Sequence, residues 1–256
     1  MKRGIAIALV GLVGILGLFA ESADQIVAHS RNRIQKNTLS SRAKMIITAK
    51  DGSTTERLVD QYSSYAGGRT RTVVIFQKPA SVAGTRFLTI ENPGKDDDRW
   101  IFLPSLGKIR RISGGEGSNS FVGTDFSYDD ISSADRKVDK DDHTLLTQKE
   151  YQGKDCYVIQ SVPKDKTYQY SKMVSWIDTK PFVAYKLELY DHQNQLVKVM
   201  EVQDLKDMQG RLTPMLSKMT SVQNGTSTTL SVEIIKYDDP IPEGVFTTRF
   251  LETGRP

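Results

Sequence analysis

The sequence predicts a mainly β protein, an antiparallel meander of about a dozen short strands that curls into a barrel or half-barrel after one opening helix. Three observations carry that prediction. Alternating or densely apolar segments recur at spacings of about 8 to 14 residues. Turn chemistry separates them, as at Asp51-Gly52, Gly67-Gly68 and Asn92-Pro93-Gly94. A helical period shows clearly only once, near the start. The 256 residues are 38% hydrophobic and 26% charged, which excludes general disorder and allows a sizeable core. Internal repeats and linker-like stretches are absent, so the expected organisation is a leader at 1–20 and a single domain at 21–256.

Met1-Lys2-Arg3 is a short positive start, and Gly4 to Phe19 follows without a polar side chain. Ala20 and then Glu21-Ser22-Ala23-Asp24 complete the pattern of a secretory signal peptide. The apolar run is slightly shorter than the ~20 residues that span a bilayer. Cleavage after Ala20 gives an exported, periplasmic protein; a retained leader gives a membrane-anchored one. Next, Ala23 to Gln35 places Ile26, Val27, Ser30 and Ile34 on one side of an amphipathic helix.

From about residue 40 the period becomes two. Strands are expected at 41–48, 54–65, 70–77, 86–91, 99–103 and 108–112. The polar strand Thr54–Tyr65 reads as a sheet edge. Ser113 to Ile131 breaks the rhythm: it is rich in glycine and serine, yet carries Phe121, Phe126 and Tyr128. Strands resume at 144–151, 155–161, 172–178, 182–190, 196–204, 212–222 and 226–237, and a short helical turn is expected near Leu251.

Several chemistries lack their residues. The net charge of +4 falls to +2 without Lys2 and Arg3, too near neutral for nucleic-acid binding. Cys156 is the single cysteine, which excludes an intramolecular disulfide and multi-cysteine metal sites. His29, His143 and His192 are far apart in sequence, and the acidic clusters Asp96-Asp97-Asp98 and Asp139 with Asp141-Asp142 lack calcium-loop spacing. Cys156 alternates with Val158 on an apolar face and reads as a small buried hydrophobe. With no nucleophile elbow, phosphate-cradling glycine loop or HExxH motif, the expectation is a non-enzyme with no catalytic residues, no metal and no cofactor.

Two strands, Val73-Val74-Ile75-Phe76 and Trp100-Ile101-Phe102-Leu103, are apolar on both faces. A sheet with one wet face alternates cleanly, so these strands need two dry neighbours. Either a core and a ligand cavity, or a helix and ordinary loops, would supply them.

In order along the chain, Val74-Ile75-Phe76-Gln77-Lys78-Pro79, Arg99-Trp100-Ile101-Phe102-Leu103-Pro104, Gly107 to Ile112 and the loop Phe121 to Ile131 resemble the outer-membrane lipoprotein-sorting proteins of the LolA/LolB-like superfamily. The resemblance covers most of the chain after the leader. It implies a curved antiparallel sheet forming an incomplete, half-open barrel, with an N-terminal helix and short lid helices or loops over an apolar cavity. It also implies non-covalent carriage of lipoprotein or lipid acyl chains toward the outer membrane. The expected cavity wall is Val74, Phe76, Phe87, Trp100 and Phe102. Lys78 stands where studied carriers have an arginine credited with holding a lid, and lysine lacks that planar fork. Phe121, Phe126 and Tyr128 are therefore either an aromatic flap or an anchor of the loop into the core. Implied partners are the cargo, an inner-membrane transporter or permease and an outer-membrane acceptor. The rival reading is an accessory envelope protein docking through Lys108, Arg110 and Arg111.

Overall fold

The computed structural model describes residues 21–133 and 136–256; the expected leader lies outside the described residues. Helix α1 spans Ala23–Asn32. The strands are β1 Thr38–Thr48, β2 Thr54–Ser64, β3 Arg71–Lys78, β4 Arg86–Ile90, β5 Asp98–Leu103, β6 Lys108–Arg111, β7 Asp141–Tyr151, β8 Lys154–Pro163, β9 Lys172–Asp178, β10 Ala184–Tyr190, β11 Leu196–Met208, β12 Arg211–Ser221 and β13 Thr226–Tyr237. Helices α2, Tyr128–Ser132, and α3, Thr248–Thr253, are short.

Among the described residues the strands form one antiparallel sheet in the order β6-β5-β4-β3-β2-β1-β13-β12-β11-β10-β9-β8-β7. Its ends, β6 and β7, do not pair with each other, so the barrel stays open. The sheet curls strongly. Phe87 on β4 and Met173 on β9 belong to one hydrophobic cluster although eight strand steps separate them. On a flat sheet that separation would be about 38 Å.

The two faces follow from register. Phe76, Phe87 and Ile101 point to the concave side, where the main core gathers. Val73 and Leu88 point to the convex side, where Val245, Phe246, Phe250 and Leu251 of the C-terminal segment cover them. Arg86 secures that segment by donating from Nη1 to the Leu251 carbonyl at 2.7 Å. Gly254 ends α3 in the left-handed conformation, φ 68°, that favours glycine. Both apolar strands therefore have dry neighbours on each face, and the convex cover is the C-terminal segment.

At the other end of the sheet, Ser22 and Gln25 form a capping box that starts α1. Ile26 and Val27 bury against Ile159 and Ile177. The helix stops at Asn32 rather than Gln35, because the Gln35 amide turns back to donate to the Asn32 carbonyl at 2.7 Å. Strand β10 begins at Ala184, since Phe182 sits in a turn with φ 52° and stacks near His29.

β2 corrects the expectation of an edge. It lies between β1 and β3, deep in the sheet. Its polar residues are satisfied there: Asp60 accepts from Arg42 at 2.7 and 2.8 Å and from Gln77 at 2.9 Å, and the Ser63 and Thr72 hydroxyls meet at 2.9 Å. Polarity in a strand marks an edge only when no partner side chain lies across from it.

Candidate functional site: a strapped concave face

The segment from Ser113 to Ser133 crosses the concave face as a strap. Val122 and Gly123 both take positive φ, 51° and 75°, and reverse the chain so that Phe121 N–H donates to the Phe126 carbonyl at 2.7 Å. That turn sends both phenyl rings into the sheet. Ser127 then caps α2 by accepting from Asp130 N–H at 3.0 Å, which places Tyr128 beside them. Phe121 is fully buried, its ring centroid 5.5 Å from Phe76, 5.2 Å from Phe87 and 5.5 Å from Tyr128. The strap thus contributes aromatic side chains to the core, as anchors that also cover the face.

Polar ties fasten it around its length. Arg110 pairs with Glu116 at the start. Arg57 donates to the Val122 carbonyl. The hydroxyls of Thr226 and Thr228 donate to the Asp125 carboxylate, the latter at 2.7 Å. Arg99 pairs with Asp129. Asp130 accepts from Tyr170 at 2.8 Å, Lys198 at 2.8 Å and Gln169 at 3.1 Å. Burial raises the Asp129 carboxyl above its ordinary value despite Arg99, and burial with Asp130 nearby drives the Tyr170 phenol far upward. The Nε atoms of Arg57 and Arg99 are buried without an acceptor. The closed strap therefore rests on apolar packing plus ion pairs, and leaves two guanidinium donors unused.

The expected site residues divide between the faces. Val74, Phe76 and Phe87 lie together on the concave side, beneath Phe121, Phe126 and Tyr128. Trp100 and Phe102 lie across the sheet, packed with the C-terminal segment, because residues alternate faces along β5. They share no surface with the other three. Lys78 ends β3 exposed to solvent, with no ion pair among the described residues. Arg57 is the cation that reaches the middle of the strap, and nothing in its polar strand singled it out in the sequence. On the edge strand β6, Lys108 is exposed, Arg110 is held by Glu116, and Arg111 pairs with Asp98 at 2.6 Å.

The apolar space expected under a lid is occupied by the strap's own side chains, and the open clefts at its flanks are lined mostly by residues with charged or polar side chains. One, of about 700 Å³, lies between Asp97, Arg99 and the stretch 136–140. The other, of about 480 Å³, lies between the β1 end, Asp125 and Asn224. Reactive side chains lie elsewhere. Cys156 is buried, its thiol pushed up to about 11 by burial and neighbouring aspartates. The His143 ring meets the Ser161 hydroxyl at 2.8 Å and the Val138 carbonyl at 3.0 Å, a pairing across β7 and β8 that the sequence spacing hid. Ser161 is buried, and neither cleft includes it. No group of metal-binding side chains gathers among the described residues.

Comparison with known proteins fits this architecture. A DUF1329 family protein from Desulfovibrio piger is 27% identical, with a TM-score of 0.85 over 90% of this chain and 97% of its own. A domain assigned as an outer membrane lipoprotein-sorting protein from Vibrio parahaemolyticus is also 27% identical, with a TM-score of 0.85 over 90% and 98%. A LolA superfamily protein from Nitrosomonas europaea, at 22% identity and a TM-score of 0.74 over 90% and 100%, shares the fold. No curated protein matches the sequence. Among the described residues no helix is long and apolar enough to cross a membrane. A family model described as "Uncharacterized protein" matches residues 68–253, and the chain belongs to that family, with the half-open antiparallel fold of its LolA-superfamily neighbour.

Proposed function

We propose that the protein is a periplasmic carrier that binds the acyl chains of a lipoprotein or other lipid non-covalently on the concave face and moves them toward the outer membrane. The carrying observation is the strap: one segment of 21 residues covers a contiguous apolar surface, and its removal breaks no strand pairing. Acyl chains and the strap's rings compete for the same surface. Burying an acyl chain of a dozen methylenes gains about 10 kcal/mol. Undocking Phe121, Phe126 and Tyr128 costs roughly 2 to 3 kcal/mol each on the same scale. The exchange is thus close to balance, which suits a carrier that must also release. The leader pattern at 1–20 supports export, and a permease and an outer-membrane acceptor would load and unload the cargo.

Native mass spectrometry of protein purified from envelope extract tests this reading. A co-purifying lipid or acylated peptide is expected. An apo mass with no uptake of added fluorescent fatty acid would overturn it. A docking role for Lys108, Arg110 and Arg111 is supported by their place on an unpaired edge strand. Replacing Lys108 and Arg111, which do not fasten the strap, should then abolish complex formation with an envelope transporter without abolishing fatty-acid uptake.

A further inference from the structure

The larger cleft is charged where a carrier's chain-binding surface should be apolar. Its internal pairs can be set aside: Arg99 is held by Asp129, and Lys137 by Glu91 at 2.7 Å. Arg111 and Arg136 are held by Asp98 and Asp141. Among the described residues this leaves two ammonium groups in the wall, Lys95 and Lys140, without a carboxylate within 4 Å, and the carboxylates of Asp96, Asp97 and Asp165 without a cation. Asp97 is the least satisfied. Its side chain accepts one long hydrogen bond, from Asn92 N–H at 3.3 Å, and burial raises its carboxyl above the ordinary value. Gly114 and Gly115 complete the wall and have no atom within 4 Å of where a side chain would begin, so the cleft is open along their backbone.

Charges of both signs share one cleft, four of the five exposed to solvent and none paired with an opposite charge among the described residues, and they disfavour a multiply charged anion, which three carboxylates would repel. They equally disfavour a bare cation beside two lysines. A ligand carrying both charges satisfies both sets. We infer that this cleft binds the zwitterionic phosphodiester head of a phospholipid, its ammonium toward Asp97 and its phosphate toward Lys95 and Lys140, while the acyl chains take the place of the strap's aromatic rings. This names the cargo class for the carrier reading and rests on it. Arg99 and Asp129 both line the cleft, and their ion pair fastens the strap to β5. A phosphate oxygen that competes for the Arg99 guanidinium releases Asp129, so occupancy of the head site loosens the cover over the chain site.

The test uses four soluble probes on the purified protein: glycerophosphoethanolamine, dihexanoylphosphatidylethanolamine, dihexanoylglycerol and inorganic phosphate. Glycerophosphoethanolamine should shift the Gly114 and Gly115 amide resonances. The headed lipid should bind about tenfold or more tighter than the headless one, the gain expected of a charge-assisted contact. Lys140→Gln with Asp97→Asn should abolish that gain and leave dihexanoylglycerol affinity unchanged. Equal affinity for headed and headless lipids would overturn the inference. Inorganic phosphate reproducing the same shifts at the same concentration would overturn it too, marking a free-anion site. Glycerophosphoethanolamine binding without uptake of either dihexanoyl lipid would sustain the head site and sink the carrier reading instead.

Discussion

Asp129 and Asp130 are consecutive in the chain, yet the first pairs with Arg99 on β5 and the second with Lys198 on β11, seven strand steps away. On a flat sheet those strands would stand about 34 Å apart. One turn of helix therefore clasps both arms of the curled sheet.

Removing the clasp should loosen the strap more than the sheet. Asp130→Asn leaves the Lys198 ammonium, 17% exposed, without its carboxylate. Loss of about 3 kcal/mol is expected in urea denaturation, the cost of an orphaned, largely buried charge. Fatty-acid uptake should become faster in the same variant.

Phe121→Ala separates packing from gating. Deleting a fully buried ring that touches Phe76, Phe87 and Tyr128 should cost about 3 to 5 kcal/mol. An ordinary core truncation would also impair binding. Here the vacated space lies on the proposed acyl surface, so probe affinity should rise while the melting temperature falls.

The convex face supplies the contrast. Trp100→Leu and Arg86→Ala disturb the C-terminal cover, the second by removing the donor to the Leu251 carbonyl. Both should lower the unfolding midpoint and leave probe affinity unchanged. A parallel loss of affinity would place the acyl surface on that side.

The strap's beginning holds out against acid longest. The Glu116 carboxyl is held down to about 2, chiefly by Ser113 N–H and then by Arg110 and the Ser113 hydroxyl. A depressed value in the folded state means that these bonds favour folding above the ordinary value of 4.5. Their contribution is lost as pH falls through about 2. Carbon-detected NMR titration of Glu116 should find that low midpoint. Arg110→Ala should raise it, though not to 4.5, because the Ser113 donors remain.

The strand meander was legible because turn residues and period-two patterning are local properties, and β9 and β13 fall on their expected bounds. The strap was legible as an anomaly, three aromatics in a glycine- and serine-rich run. Its fastening was not. Arg57, Arg99 and Lys198 lie on three strands scattered through the chain, and only the curl brings them to one segment. The split of Trp100 and Phe102 from Phe87 was hidden for a related reason. A strand that is apolar on both faces gives no sign of which side its aromatic residues take, and the cover that decided it comes some 140 residues later, at Val245 to Leu251.

The unpaired edges β6 and β7 give the sheet a seam. In a closed barrel, the ladder of backbone bonds fixes strand number and stagger, and with them the bore. A seamed sheet can change its radius by small increments of twist and bend shared among twelve strand pairings, with no ladder bond broken. The volume enclosed is then set by whatever fills it, so one scaffold can fit tightly around contents of different size.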